Sequence, residues 1–188
     1  MQDISSHICQ AFGISIQDAN VFLAAFKMTE LKKNEVFISE GKICNKIGLI
    51  KKGLMKCVFK KDGKDVIFEF AYENSFVSDY YSFVTHTPSV KDIICLENTV
   101  VYIIDRQQLE TLGRTHSFIE GMSRKTNEYL FLKMHDRLRS MMMDTAAERY
   151  IRLIKERPDL ANRIPQYLLA SYLNVQPETV SRIRSKIA

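Results

Sequence analysis

The stretch from Pro165 to Lys186 constrains this chain more than any other. Leu169, Ala170, Leu173, Val175, Val180 and Ile183 are apolar or small at helical spacing. They give one buried face to each of two short helices separated by a turn. Ala170 is small where the helices would cross closely. Asn174 stands where the turn needs a left-handed residue, a conformation Asn tolerates better than most. Pro177 suits the first position of a new helix, because its missing N–H costs nothing there. Glu178 follows in the first turn, where the helix dipole favours an acid. The pattern is a helix-turn-helix.

Its outward face carries Gln176, Glu178, Thr179, Ser181, Arg182, Arg184, Ser185 and Lys186. These side-chain types meet base edges and phosphates, and all eight are candidate DNA contacts. The competing reading is a plain helical hairpin with Glu178 and Arg182 as a surface pair, worth only about 0.2–0.5 kcal/mol. Charge distribution favours DNA. From Arg114 onward there are 14 Lys and Arg against 8 Asp and Glu, whereas the preceding 113 residues hold 13 and 14. The whole excess of +5 therefore sits on the half that carries the motif, as a polyanion partner requires.

At 188 residues the chain suits one good core, or a domain of about 110–150 residues with a small appendage. No apolar run approaches the ~20 residues needed to span a bilayer. The N-terminus lacks the basic-then-apolar layout of a signal peptide, so a cytoplasmic protein without membrane attachment is expected. Cys9, Cys44, Cys57 and Cys95 are scattered without ligand spacing, and His7, His86, His116 and His135 form no cluster. No metal site is expected. With no nucleophilic arrangement of Ser, His, Asp or Cys, the chain does not read as an enzyme.

Residues from about Ser5 to Phe26 read as short helices. The middle changes period: β-prone runs at Glu35–Ile38, Ile47–Lys51, Met55–Phe59, Val66–Tyr72, Lys91–Leu96 and Thr99–Ile104 are separated by turn signals. Many short punctuated strands predict an antiparallel jelly-roll barrel, and Asp62-Gly63 marks its clearest hairpin. After Asp105 the helical period returns, with a short helix at Leu109 and Leu112. A long helix follows over residues 116–143. Its apolar stripe of Phe118, Ile119, Met122, Tyr129, Leu130, Met134, Leu138, Met141 and Met142 is bordered by charge, the mark of a dimer seam. Asp144 or Thr145 caps the next helix, Ala146–Lys155. The fold class is α+β, divided into a sensor barrel at 1–115, a dimer helix at 116–143 and a DNA-binding domain at 144–188.

This order of parts resembles the bacterial Crp/Fnr transcription regulators. Ile38-Ser39-Glu40-Gly41-Lys42, Ile50-Lys51-Lys52-Gly53-Leu54-Met55-Lys56 and Asp62-Gly63-Lys64-Asp65 look like successive turns of that family's cyclic-nucleotide-binding fold. Glu178-Thr179-Val180-Ser181-Arg182-Ile183 is close to its recognition helix. The resemblance implies that Glu178 and Arg182 read base edges, Glu from a cytosine amino group and Arg bidentately from guanine. It also implies a homodimer on double-stranded DNA, acting with RNA polymerase and answering to a small-molecule effector.

Two departures narrow that expectation. The family's nucleotide cassette has its counterpart here in Phe76, Val77, Ser78, Asp79, Tyr80 and Tyr81, with Ser89 in the later piece. These residues are expected to line the effector pocket. No arginine stands at the phosphate position, which removes a charge-assisted bidentate anchor, so no cofactor is expected and cyclic AMP is disfavoured. With Ala188 ending the chain, no hairpin wing is expected after the last helix. A cyclic-nucleotide module whose terminal helices contact protein is the alternative function, and a DNA-binding dimer with a ligand-free barrel is a third.

Overall fold

Alternating burial builds two four-stranded sheets in the barrel. A computed structural model describes residues 2–187. The chain opens with α1 (Gln2–Phe12) and α2 (Ile16–Ala24), then runs through β1 (Lys27–Leu31), β2 (Val36–Ile38), β3 (Lys46–Lys52), β4 (Met55–Lys61), β5 (Lys64–Ala71) and β6 (Phe76–Val77). A short α3 (Tyr80–Thr85) precedes β7 (Asp92–Cys95), β8 (Thr99–Asp105) and α4 (Arg106–Thr115). The sheets have the orders β1-β8-β3-β6 and β2-β7-β4-β5. β8 lies antiparallel between β1 and β3, and β7 antiparallel between β2 and β4. The chain passes back and forth between the sheets, which is the jelly-roll arrangement.

The expected strands are all present. β1 and β6 are additional: Lys27–Leu31 has almost no apolar face, and Phe76–Val77 is too short to show a period. Leu49, Ile50, Leu54, Met55, Val58, Ile93, Val101 and Ile104 fill the barrel. Ile4, Ile8, Ala19 and Phe22 of the N-terminal helices form a second cluster with Leu49, Ile119 and Met122. Gly53 marks a close approach: its φ is +115°, and a Cβ there would lie 2.4 Å from the Thr99 hydroxyl oxygen.

The chain forms two compact units, residues 1–58 with 70–128 and residues 59–69 with 129–188. This division differs from a segmentation at 115 and 143. It cuts the long α5 (Phe118–Met143) after Glu128 and assigns the distal part of the β4–β5 hairpin to the second unit.

That second unit continues through α6 (Ala146–Glu156), α7 (Leu160–Arg163), α8 (Gln166–Leu173) and α9 (Pro177–Ile187). Tyr150, Leu160, Ile164, Leu168, Leu169, Ala170, Leu173, Val180 and Ile183 are its core. Of the two candidate caps for α6, Thr145 serves: its hydroxyl accepts from the Glu148 N–H, and Glu148 accepts from the Thr145 N–H. That mutual bond holds the Glu148 carboxyl below its ordinary range. Arg149 ties the turn between α5 and α6 to the end of α8, donating to the carbonyls of Asp144 (2.6 Å) and Leu173 (2.7 Å). Any wing would lie beyond Ile187, outside the described residues. Among the described residues no helix is long and apolar enough to cross a membrane.

Candidate nucleic-acid interface

The turn between α8 and α9 has the geometry its residues demand. Asn174 ends α8 at φ 55° and ψ 48°, and its N–H donates back to Ala170 and Ser171 carbonyls. Val175 then donates to the Ala170 carbonyl at 3.0 Å. Pro177 is the first residue of α9. Gln166, which the sequence did not single out, donates from Nε2 to the Pro177 carbonyl at 2.7 Å and so fixes the start of α8 against the start of α9.

Glu178, Ser181, Arg182 and Ser185 recur at i, i+3, i+4 and i+7, which puts them on one face of α9. All four are exposed, and with Gln166 and Pro177 they line an open cleft. Gln176 and Lys186 are also exposed, and Thr179 is half-buried.

Arg184 does not join that face. Its Nε donates to the Tyr150 hydroxyl at 3.1 Å, its Nη2 donates to the Ala161 carbonyl at 2.6 Å, and its guanidinium lies 5.9 Å from the Tyr150 ring centroid. The reason is periodicity. Arg184 is four residues from the fully buried Val180, so it shares the inward side of α9 and braces the helix instead of presenting a free cation.

The long helix also redistributes its expected seam. Ile119 and Met122 belong to the core of the first unit and are not free surface. In the second unit, Tyr129, Leu138, Met141 and Met142 are exposed, and so are Phe131, Leu132 and Met143, which the stripe had omitted. Leu130 and Met134 are half-buried. Phe131 and Leu138 are seven residues apart, with Met142 four further on, the spacing of a helix–helix seam.

In the barrel, only part of the expected pocket converges. Asp79 is 1% exposed; its Oδ2 accepts from the Ser89 hydroxyl at 2.6 Å, and its Oδ1 lies 3.1 Å from the Lys91 Nζ. Lys91, with a side chain only 13% exposed, was not among the expected pocket residues. The others disperse because consecutive residues cannot share one side. Phe76 meets the Phe12 ring edge-on and the Phe22 ring at a tilt, and Val77 is buried. Ser78 donates to the Lys46 carbonyl at 3.0 Å. The Tyr80 hydroxyl donates to the Asn127 side chain at 2.9 Å, and burial pushes its pKa up. Tyr81 is 68% exposed.

Residues 28–116 match the cyclic nucleotide-binding domain family. Among solved structures, FixK2 from Bradyrhizobium japonicum superposes with a TM-score of 0.74 at 18% identity, covering 86% of this chain and 84% of its own. The c-di-GMP-responsive global regulator CLP of Xanthomonas campestris gives 0.68 at 12% identity, over 92% of this chain and 91% of its own. CooA of Carboxydothermus hydrogenoformans gives 0.65 at 16% identity, over 89% and 78%. The chain shares the fold of these three proteins. No curated protein sequence matches it. The matched segment ends before α5, so the family model speaks for the barrel and not for α8 and α9.

Proposed function

We propose that the chain is a sequence-specific, DNA-binding transcription regulator of the Crp/Fnr type. The observation that carries this reading is the outward face of α9. Glu178, Ser181, Arg182 and Ser185 stand exposed in one row on a helix whose other side is packed against α8. A recognition helix in the major groove needs that division. The protein works as a cytoplasmic homodimer without catalytic activity, acting with RNA polymerase. The exposed row Phe131, Leu138 and Met142 supports the dimer seam.

The buried Asp79–Lys91 pair favours the version in which the barrel binds no cyclic nucleotide. A cyclic phosphate would meet the Asp79 carboxylate, and the nearby ammonium is already bonded to it. Calorimetry with cyclic AMP and cyclic GMP is expected to show nothing tighter than about 100 µM, an affinity of roughly 5–6 kcal/mol. The protein-contacting alternative requires tight nucleotide binding and no salt-dependent association with duplex DNA. Selection from a random duplex pool tests the main reading. A two-fold symmetric consensus is the expected result, and failure to enrich any sequence would remove it.

A further inference from the structure

We propose that the tip of the β4–β5 hairpin is a second DNA-contacting element, in which Lys60, Lys61 and Lys64 grip backbone phosphates beside the groove read by α9. The inference rests on the DNA-binding reading above and adds to it a contact supplied by residues of the barrel strands.

The hairpin turns at Asp62-Gly63, where φ is 51° and 72°. Positive φ at both central residues makes the tight turn whose twist suits two paired strands. Its outer part, residues 59–69, belongs to the same compact unit as the helix-turn-helix. Four contacts hold it there. The Ile67 N–H donates to the Ser171 hydroxyl of α8 at 3.0 Å, and that hydroxyl donates to the Asp65 carbonyl at 3.2 Å. Arg137 of α5 lies between two rings, 5.2 Å from the Phe68 centroid and 4.7 Å from that of Tyr172. Glu69 pairs with Lys133.

A single Ser171 side chain thus satisfies a donor and an acceptor on one edge of β5, which would otherwise offer open ladder groups. The docking is specific in register, and it fixes what the tip presents. With Glu69 engaged by Lys133, the cations at the tip are Lys60, Lys61 and Lys64, all exposed, beside Asp62 and Asp65. Strands advance about 3.3 Å per residue, so these lysines lie within about 10 Å of strand length of the docked edge. Along α8, Ser171 is five residues from Gln166, about 7.5 Å away, and Gln166 lines the reading cleft. Two half-sites lie about 34–36 Å apart, one helical turn, and tip and cleft are closer together than that, so both can address a single half-site. Lysine ammonium groups there suit phosphate, a contact that positions the protein without reading sequence.

The test compares the parent and three variants on a selected duplex and on a random one, across a salt series. K60Q/K61Q/K64Q removes the tip cations, whereas K27Q/K32Q/K33Q removes three exposed lysines from β1 and the turn after it, so net charge falls equally. The tip variant is expected to lose about ten-fold or more in affinity on both duplexes, and its slope of log K against log salt should flatten by about one per lost contact. The control variant should stay near the parent. S171A, which frees the hairpin without changing charge, should give a smaller loss of the same kind. Equal losses in the tip and control variants would reduce the effect to net charge and overturn the inference. An unchanged tip variant on a parent that binds its selected site would also overturn it, leaving the recognition-helix reading intact. A parent that enriches no duplex at all would overturn both.

Discussion

Two charged clusters in this molecule have opposite fates. In the barrel, Asp79, Ser89 and Lys91 are buried and bonded to one another. On α9, Glu178, Ser181, Arg182 and Ser185 share an exposed face. Buried charge is stable only when its partners are in place, so the barrel cluster is closed by its own chemistry. The α9 face costs nothing to leave in water and retains its capacity to bond. Charge alone therefore does not mark a binding surface. What marks it is charge that the fold holds rigidly and does not consume.

The largest expected effect breaks the closed cluster. Asp79→Ala should destabilise the protein by about 3 kcal/mol, because it leaves the Lys91 ammonium in place with its buried partner gone. The double change Asp79→Leu with Lys91→Met should recover most of that loss. Urea unfolding measures both. A single variant as stable as the parent would show that the cluster is not a closed unit, and would reopen the barrel to a ligand.

The open cluster should behave the other way. Arg182→Ala is expected to leave urea stability unchanged, to weaken the selected site by about 1–3 kcal/mol, and to relax one base-pair position per half-site. Lys186→Ala should weaken all duplexes alike. Arg184→Ala sharpens the contrast within one helix. With its bonds to Tyr150 and Ala161 removed, the loss should appear as about 1–2 kcal/mol of stability, with base preference retained. If Arg184→Ala shifted base preference and left stability alone, the inward assignment would be wrong.

These contrasts follow what could be read from the chain. The two short helices α8 and α9 and the turn between them were legible because their signals are local: Asn174 for the left-handed turn and Pro177 for a helix start. The same holds for the Thr145 cap of α6. Arg184 was misplaced because residue type outweighed its spacing from Val180. The barrel cluster was illegible for another reason. Asp79 and Lys91 are twelve residues apart, across α3 and a loop, and only the fold brings them to 3.1 Å. Asp79 stands at the N-cap of α3, a position its residue type suits, yet its carboxylate makes no cap bond there and turns instead to Ser89 and Lys91. Phe131 and Leu132 escaped because the full stripe mixes core residues of one unit with surface residues of the other.

The smallest expected effect concerns acid. Asp159 accepts from Arg157 at 2.9 Å through each oxygen and from Arg163 at 2.8 Å, and these guanidinium bonds hold its carboxyl well below the ordinary range. The Asp144 carboxyl is lowered likewise, by hydrogen bonds with Ser140 and Arg152. A carboxyl with a depressed folded pKa stabilises fully above its unfolded value near 3.9 and loses that contribution as pH falls through the folded value. Thermal stability should therefore owe no slope to these groups between pH 5 and 8, and should decline below about pH 4. The Asp159 side chain is 43% exposed, so water screens the pair and Asp159→Asn should cost under about 1 kcal/mol at pH 7. That difference should shrink further as pH falls below about 4, where the unfolded carboxyl takes up its proton while the folded one still holds its charge. A gap between parent and variant that widened on acidification would reverse the sign and show that Asp159 is destabilised in the folded state, making its cluster unlike either of the other two.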